Sequence, residues 1–477
     1  MSSSSPYRPT VGLEVHAELK TQTKMFCRCL NNPDEKEANS NICPVCMAHP
    51  GSLPVINREA VTHILKMGMA VGGELADFTE FDRKNYFYPD IPKGYQISQY
   101  QYPLVKGGSL KGVALTRVHL EEDTARSYHK GDYSLIDFNR AGVPLMELVT
   151  EPVIHTAKDA GDFARELQRL LRTLGVGEAN MEKGQMRIEA NISVGKDGVR
   201  GTKVEVKNLN SFRSVERAIA YEVERQIGLL ESGGKVIQET RGWDEGGQKT
   251  FSQRIKEESH DYRYFPDPDL PKLYLREITE LSPENLKATL PELPWNRRDR
   301  YMRDFGIKVE DAELYLDDQV AGSFFEDIAQ KFMGDVNRIK LANNYLTSDV
   351  RGYLSQEGKS FADLKMSIDA FEKLITLTSE GAVSSRGAKE ILLVLMEIGG
   401  EPEEIARVQG LFQQSDEGAL EKIVEAIIEK NSAVVAEYKS GKEASLQYLI
   451  GQGMKESKGS ANPEILRSLL TKKIRQE

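Results

Sequence analysis

Three segments of this chain alternate apolar and polar residues with a period of two, and this alternation most constrains the fold. In a β-strand such a period places successive side chains on opposite faces, so that one face of each segment is apolar and the other is polar. We therefore predict strands that share one sheet with a buried apolar face. The segments are TVGLEVHAELK at 10–20, MRIEANISV at 186–194 and KVEVKNLNSFR at 203–213.

The polar face of this predicted sheet carries many carboxylates. Two acidic runs, HLEED at 119–123 and MELVTEP at 146–152, would add more. One such strand alone is more often a solvent-facing strand, but three together favour a ligand site. Carboxylate oxygens suit Mg²⁺, which keeps waters and substrate phosphates among its ligands. The polar positions of the three segments include Glu14, His16, Glu189, Asn191, Glu205 and Lys207.

The sequence lacks the common phosphate-binding and hydrolase motifs. It contains no G-x-x-x-x-G-K-[ST], no G-x-G-x-x-G between a strand and a helix, and no G-x-S-x-G. A bound nucleotide would then depend on metal and on basic side chains, for which Lys84, Arg140 and Lys207 are candidates. Tyr86 lies in a tyrosine-rich stretch beside Lys84, and these aromatics fit either base stacking or core packing.

All four cysteines lie in one short stretch, as Cys27-x-Cys29 and Cys43-x-x-Cys46. Two short chelating turns beside a polar loop are typical of a tetrahedral zinc site, and four sulfurs leave no open position for a substrate, so this zinc would be structural. Disulfides, a redox centre and free thiols are the alternatives.

The N-terminus lacks a secretory signal and no apolar run is long enough to span a membrane. We therefore expect a cytoplasmic protein without membrane contact, where disulfides are disfavoured.

At 477 residues the chain is too long for a single core, and its patterning changes along its length. Strand and helix patterns are mixed up to LPELPWNRRDR at 290–300, and helical patterns dominate afterwards. Amphipathic helices are predicted at 155–175 and 211–234. We predict an α+β fold followed by two all-α domains. The predicted domains are residues 1–292, which include the cysteine loop 27–46, then 293–405 and 406–477.

The charge distribution limits nucleic-acid binding to local patches. The net charge is −10, so the surface as a whole repels a polyanion. Residues 441–477 nevertheless hold more lysine and arginine than glutamate. This excess fits either a nucleic-acid contact or a solvated helical face.

Several long blocks of the sequence have an unusual composition. The blocks are VGLEVHAEL, CPVCMAHPGSLPVIN, FDRKNYFYPDIPKGYQISQY, HLEED, DFNRAGVPLMELVTEP, KNLNSF, DYRYFPDPDLP, GAVSSRGAKEIL and GQGMKESKGSANP. In the same order along nearly the whole chain, they resemble the B subunits of bacterial aspartyl/glutamyl-tRNA amidotransferases. The resemblance implies a cradle domain with an antiparallel sheet related to glutamine synthetase, a helical domain, and a small helical tail domain that reaches tRNA.

The resemblance implies a glutamine-dependent ligase that uses ATP and Mg²⁺. In that reaction the side-chain carboxylate of Glu-tRNA(Gln), and in many members of Asp-tRNA(Asn), is phosphorylated and then amidated by ammonia. The ammonia would come through a channel from a glutaminase A subunit, and a C subunit would complete a heterotrimer. Divalent cations would neutralise the phosphate charge and align the two anions, which suits the polar face.

Two other functions stay open at this point. One is a zinc-containing tRNA-binding scaffold without catalysis of its own. The other is a free-standing ATP-dependent synthetase that acts on a small carboxylic acid.

The resemblance also assigns roles to individual residues. Glu189 stands where the family usually has aspartate, and Arg126 stands where it commonly has lysine. Some members lack the four cysteines, which agrees with a structural zinc. The implied catalytic residues are Glu14, His16, Glu122, Glu147 and Lys84, of which all but Lys84 are also implied Mg²⁺ ligands. The implied substrate and nucleotide contacts are Tyr86, Arg140, Glu189, Asn191 and Lys207. The implied tRNA contacts are Lys455, Lys458, Lys472 and Lys473.

Overall fold

The computed structural model contains two compact units, Met1–Pro294 and Trp295–Glu477. The first unit mixes strands and helices, and the regular structure of the second is helical over its described residues, which confirms the predicted α+β class. No helix among the described residues has the length and apolar character needed to cross a membrane. The structure describes residues 6–196, 199–255, 262–413, 417–457 and 461–476.

Every strand in the described part of the chain belongs to the first unit. The early strands are β1 (Tyr7–Glu18), β2 (Glu74–Leu75), β3 (Phe78–Thr79), β4 (Asp82–Asn85), β5 (Tyr95–Ser98), β6 (Val105–Lys106), β7 (Ser109–Leu110) and β8 (Val113–Glu122). The later strands are β9 (Arg126–Lys130), β10 (Tyr133–Asp137), β11 (Pro144–Thr150), β12 (Met186–Lys196), β13 (Val204–Leu209), β14 (Glu239–Asp244), β15 (Lys249–Ile255), β16 (Phe265–Pro266) and β17 (Leu273–Tyr274).

One ten-stranded sheet dominates this unit. Its order is β15-β14-β13-β12-β1-β11-β8-β6-β2, with β7 paired to β8, and nearly all of its pairs are antiparallel. The three alternating segments of the sequence form the adjacent strands β1, β12 and β13, as predicted. β1 therefore lies in the middle of the sheet, between β11 and β12.

Helices pack against the apolar face of the sheet. The unit contains α1 (Arg58–Ala70), α2 (Ala157–Thr173), α3 (Phe212–Glu231) and α4 (Pro283–Ala288). α3 packs on β12, β13 and β15 and also on α2. Helices α2 and α3 each begin at a capping side chain, because Thr156 accepts a hydrogen bond from the Asp159 amide and Ser211 from the Ser214 amide. The buried apolar residues of β1 and α2 include Val11, Leu13, Val15, Phe163, Leu167 and Leu170.

Smaller strand groups complete the first unit. β16, β4 and β5 form a three-stranded sheet, and β9 and β10 form a hairpin. The cysteine loop is tied to this hairpin and to the turn that follows it. Asn39 donates its amide to Asp137 Oδ1 at 3.0 Å, and Asn41 donates its amide to Asn139 Oδ1 at 2.9 Å. Hydrogen bonds from its backbone amides therefore hold the loop in place, in addition to whatever metal the cysteines bind.

Over its described residues, the second unit holds two separate apolar clusters. One runs from Tyr301 to Ala406 and the other from Leu420 to Ile474. The predicted division near residue 405 falls beside the gap between them, and the three-domain assignment stays a prediction. The helices are α5 (Pro294–Asp304), α6 (Val309–Asp317), α7 (Gln319–Lys331), α8 (Val336–Asn344), α9 (Arg351–Glu357), α10 (Ile368–Ser379), α11 (Ser385–Glu397), α12 (Pro402–Gln409), α13 (Glu417–Lys430), α14 (Ser432–Lys439), α15 (Glu443–Glu456) and α16 (Pro463–Gln476).

Candidate active site

The register of four neighbouring strands brings polar side chains together on one face of the sheet. His16 on β1 lies directly opposite Glu147 on β11 and Arg187 on β12. Glu147 in turn lies opposite His119 on β8. Because directly opposed residues share a face, these side chains all project to the side away from α2 and α3. We call this side the polar face.

His16 lies at the centre of a carboxylate cluster on the polar face. Its Nε2 is 3.5 Å from Glu121 Oε1, 3.5 Å from Glu147 Oε2 and 3.9 Å from Glu14 Oε1. We call Glu14, His16, Glu121 and Glu147 the His16 cluster. Burial favours neutral His16, but hydrogen bonds with the carboxylates of Glu121 and Glu147 outweigh it and raise the pKa of His16 to about 10.

The carboxylates of Glu121 and Glu147 stay ionised despite their burial, whereas burial and the charge of Glu147 raise the pKa of Glu14. Burial raises the pKa of Glu147, but the charges of His119 and His16 hold that pKa well below the usual range. Burial likewise raises the pKa of Glu121, and His16 and Lys84 lower it further than burial raises it. Glu147 also accepts from Arg117 at 3.3 Å. The site therefore carries the negative charges of Glu121 and Glu147 at positions that are largely shielded from water.

The cluster fits a hard divalent cation. Donor atoms of Glu14, His16 and Glu147 lie within 4.8 Å of one another, as do those of His119, Glu121 and Glu147. Glu121 Oε2 is buried and has no hydrogen-bond partner among the described residues. An unsatisfied carboxylate oxygen beside two other carboxylates is a suitable ligand for Mg²⁺. A cation and a proton would compete for His16 Nε2, since a metal ligand must be unprotonated.

Glu122 does not lie in this cluster, contrary to the sequence expectation. It forms an ion pair with Lys93, and its Oε1 accepts the Ile97 amide at 3.0 Å. The alternation of β8 explains the difference, because His119 and Glu121 share one face while Leu120 and Glu122 point to the other. The expected grouping of Glu122 with His16 is therefore wrong, and Glu121 takes that position.

Lys84 and a group of tyrosines lie beside the cluster. Burial lowers the pKa of Lys84, but the carboxylates of Glu121 and Glu147 raise it far above its usual range, so this ammonium stays charged. Its Nζ is 5.9 Å from the ring centre of Tyr86 and 5.1 Å from that of Tyr262. The Tyr86 hydroxyl donates to Gln96 Oε1 at 3.2 Å.

Two further tyrosines were missed by the sequence reasoning. Tyr264 stacks on Tyr100 with ring centres 4.3 Å apart, and its ring is also 6.0 Å from that of Tyr262. Tyr262 and Tyr264 come from the block DYRYFPDPDLP, so the signal lay in a motif that was recognised but given no role. Together the rings form an aromatic surface next to the half-buried ammonium of Lys84.

The other end of the polar face carries a second charged group. Lys207 Nζ is 2.9 Å from Glu189 Oε2 and 3.7 Å from Glu205 Oε1. Burial lowers the pKa of Lys207, but these two carboxylates raise it above its usual range. Asn191 Oδ1 is buried without a hydrogen-bond partner in the described part of the chain. Glu189, Asn191 and Lys207 thus share the face with Glu14, as expected from the alternation.

Arg140 is not brought into the His16 cluster. Its Nε donates to the Thr124 carbonyl at 2.9 Å, and its second terminal nitrogen donates to the Ala125 carbonyl at 3.0 Å. Its Nε also lies 3.7 Å from Asp123. The side chain therefore fixes the chain just after β8. Arg126 is likewise engaged, with Asp34 at 2.8 Å.

The four cysteines converge into one group. Cys46 Sγ lies 4.0 Å from Cys29 Sγ and 3.9 Å from Cys43 Sγ, and all four thiols are free. A tetrahedron with zinc–sulfur bonds of about 2.3 Å has sulfur–sulfur edges of about 3.8 Å. A disulfide would bring two sulfurs to about 2.05 Å. The arrangement fits a tetrahedral metal and does not fit disulfides.

The tail lysines differ in their surroundings. Lys455 and Lys472 are exposed. Lys473 forms an ion pair with Glu425 at 2.5 Å. Lys458 lies outside the described residues. Their expected contact with tRNA stays a prediction.

Comparison with known proteins places the chain in a family. The GatB/GatE catalytic domain matches residues 9–279, and a GatB domain matches residues 323–474. A curated protein of Gloeothece citriformis, named as the B subunit of an aspartyl/glutamyl-tRNA(Asn/Gln) amidotransferase, is 40% identical, covering 98% of each chain. Proteins of the same name from Brevibacillus brevis and Persephonella marina are 42% and 41% identical, over 98% and 97% of this chain and 98% of each relative. The chain, with the sheet that carries the His16 cluster inside its catalytic-domain match, belongs to the family of aspartyl/glutamyl-tRNA(Asn/Gln) amidotransferase B subunits.

Proposed function

We propose that this chain is the component that activates and amidates the side-chain carboxylate of Glu-tRNA(Gln), and also of Asp-tRNA(Asn), with ATP and Mg²⁺. The observation that carries the proposal is the His16 cluster, in which the ionised carboxylates of Glu121 and Glu147 flank the His16 ring on a largely buried part of the polar face. The names of the relatives support the tRNA-linked substrate.

The reaction has two steps that balance without a redox partner. A carboxylate oxygen of the substrate attacks the γ-phosphorus of ATP, the bond to the β,γ-bridging oxygen breaks, and ADP leaves with that electron pair. Ammonia then attacks the acyl carbon, phosphate leaves with the carbon–oxygen bond pair, and one proton passes from nitrogen to phosphate. An amide, ADP and phosphate result.

The residues of the polar face suit the first step. Glu14, His16, Glu121 and Glu147 would hold Mg²⁺, which when bound neutralises phosphate charge and aligns two anions. Lys84 remains charged beside Glu121 and is placed to attract an anionic substrate. The tyrosines around it offer flat surfaces for a nucleotide base or a tRNA terminus.

The cysteine group would hold a structural zinc ion. Four sulfurs fill a tetrahedral shell, so no position is left for substrate. The loop is tied to the turn after β10, because the Asn41 amide donates to Asn139 Oδ1 at 2.9 Å. Zinc there would fix this loop without taking part in the reaction.

The proposal includes two partner subunits and a separate role for each domain of this chain. Glutamine hydrolysis is assigned to an A subunit that delivers ammonia, and a C subunit completes a heterotrimer. We assign residues 1–292 to catalysis, 293–405 to a helical domain and 406–477 to tRNA binding. The exposed lysines 455 and 472 support this last assignment.

Assay of the reconstituted three-subunit complex tests the function. With misacylated tRNA, glutamine, Mg²⁺ and ATP labelled at the γ-phosphate, we expect amidated tRNA and labelled phosphate in equal amounts. Without glutamine or ammonia, we expect labelled phosphate to appear only when the charged tRNA is present.

The same assay separates the alternatives. Phosphate release with free glutamate in place of charged tRNA would instead support a small-molecule synthetase. Binding of tRNA by a complex that never consumes ATP would support a scaffold. Either result would reject the proposed function.

A further inference from the structure

Arg187 shares the polar face with the His16 cluster but has no role in the function derived so far. It lies on β12 directly opposite His16 on β1, so both side chains project to the same side. Its side chain is 31% exposed, whereas that of Asp123, its ion-pair partner, is 4% exposed. The guanidinium is therefore anchored at one end and reachable from the face.

The anchoring uses only part of the guanidinium. One terminal nitrogen of Arg187 donates to Asp123 Oδ2 at 2.9 Å, and no other hydrogen bond of this side chain is found among the described residues. Asp123 is itself fixed, because its Oδ1 accepts the Thr124 amide at 2.8 Å. Since a guanidinium carries five N–H donors in a rigid fork, Arg187 retains donors for a further partner.

The two other arginines near the cluster are held differently. Arg140 donates from two nitrogens to the carbonyls of Thr124 and Ala125. Arg117, whose side chain is 33% exposed, also keeps unused donors, but it donates at 3.3 Å to Glu147 of the His16 cluster itself. Arg187 differs from Arg117 because its anchor, Asp123, lies outside the cluster, so Arg187 can bind an anion without releasing a carboxylate of the cluster.

The free N–H donors of Arg187 could bind an anionic group of the substrates. The proposed reaction brings a carboxylate and a triphosphate onto a face that already holds the ionised carboxylates of Glu121 and Glu147. The planar fork of arginine matches the paired oxygens of a carboxylate or a phosphate. Donors fixed in advance around a developing oxyanion lower the barrier most effectively, because they need no reorganisation during the reaction.

We propose that Arg187 is a catalytic residue that binds an oxyanion of the reacting groups, either the substrate carboxylate or the transferred phosphoryl group. This inference rests on the proposed function and adds a residue to its site. Asp123 holds the guanidinium in place, and Arg140 fixes the chain next to Asp123.

The test uses the three-subunit complex with Arg187→Ala, Arg187→Lys and the control Arg8→Ala. Arg8 lies on the same strand pair, opposite Gly195, and its exposed side chain contacts His155. We expect R187A to lower kcat for amidation by about 100- to 1000-fold, as for the loss of one oxyanion donor. R187K should lose less because it keeps the charge, and R8A should match the wild type.

Chemical rescue and the Michaelis constants sharpen the result. Added guanidinium ion should restore part of the R187A activity, since it can occupy the vacated position. A raised KM for ATP would identify the phosphoryl oxyanion, and a raised KM for the charged tRNA would identify the carboxylate.

Three outcomes have distinct meanings. R187A turnover equal to that of R8A would overturn the assignment. A loss that neither guanidinium nor lysine restores would give Arg187 a purely structural role and would also overturn it. A wild-type complex that fails to consume ATP with charged tRNA would reject the proposed function instead.

Discussion

Glu121 and Glu122 are neighbours in the chain, yet their carboxylates lie on opposite faces of the sheet. Glu121 faces His16 at 3.5 Å, and Glu122 forms an ion pair with Lys93. Strand alternation separates them. The two positions therefore allow the same glutamate-to-glutamine change to be made on either side of one strand.

Glu121→Gln should weaken cation binding at the His16 cluster. It removes a negative oxygen that would ligate Mg²⁺, so we expect the Mg²⁺ concentration for half-maximal phosphate release to rise by more than about tenfold. Titration of ATP consumption with Mg²⁺ checks this. Glu122→Gln serves as the matched change, and its Mg²⁺ requirement should stay at the wild-type value. A larger shift for E122Q than for E121Q would contradict the geometry.

Glu122→Gln should instead reduce stability. The change leaves Lys93 without its charge partner in a site where both side chains are largely buried. Breaking a buried ion pair from one side destabilises by about 3–5 kcal/mol. Urea unfolding of E122Q and of E122Q/K93M measures this, and we expect the second change to recover part of the loss. No difference between E122Q and wild type would show that the pair does not hold in solution.

Cys43→Ser should remove the metal from the cysteine loop. We expect about one zinc per wild-type chain after dialysis and a large loss of zinc in C43S, because one of four ligands is gone. The unfolding temperature should fall in C43S, and a chelator should lower it in the wild type but not in C43S. Zinc content measured by atomic absorption decides the first point. Equal zinc in both proteins would reject the metal site.

Neutralising two tail lysines should flatten the salt dependence of tRNA binding. Lys455 and Lys472 are exposed, whereas Lys473 is paired with Glu425. Each phosphate contact that is lost reduces the slope of log K against log salt by about 0.9 or less. We therefore expect K455Q/K472Q to reduce the slope by up to about 2, and K473Q to change it less. An unchanged slope in the double variant would reject the tail contact.

Glu326 on α7, which forms ion pairs with two arginines of α5, should make the free energy of unfolding depend on pH. Burial raises the pKa of Glu326, but hydrogen bonds and charge from Arg300 and Arg297 lower it below its usual range. The resulting stabilisation is present above the unfolded pKa of about 4.3 and is lost as pH falls through the lower folded pKa. Glu326→Gln should cost about 2 kcal/mol at pH 7 and nearly nothing at the acidic end.

Unfolding at a series of pH values measures this effect. Glu404→Gln, a change at an exposed position on α12, serves as the control and should show no such trend. A cost for E326Q that stays constant from pH 7 to pH 3 would contradict the charge-based origin.

The period-two pattern of the strands predicted the residues of the His16 cluster better than the roles carried over from matching motifs did. The period of two in β1 and β12 placed Glu14, His16 and Glu189 on one face, and the structure agrees. The same rule applied to HLEED selects His119 and Glu121, so the signal for the correct glutamate was in the sequence. The motif assignment chose Glu122 because it did not use that rule.

Other features depend on contacts between distant segments. Arg140 donates to backbone carbonyls of the loop after β8. Every residue has such a carbonyl, so the sequence does not show which ones will accept these hydrogen bonds. Tyr262 reaches Lys84 from far along the chain. Periodicity reports which face a residue occupies, but it carries no information about which loop lies opposite.

The central position of β1 has a consequence for how the protein is made. Tyr7–Glu18 leaves the ribosome well before its two neighbours in the sheet, Pro144–Thr150 and Met186–Lys196. Until they emerge, this strand has two open edges with unpaired backbone groups, which favour association with other chains. Formation of the ten-stranded sheet around β1 must therefore wait for translation to pass residue 196, so the nascent chain needs protection over that interval.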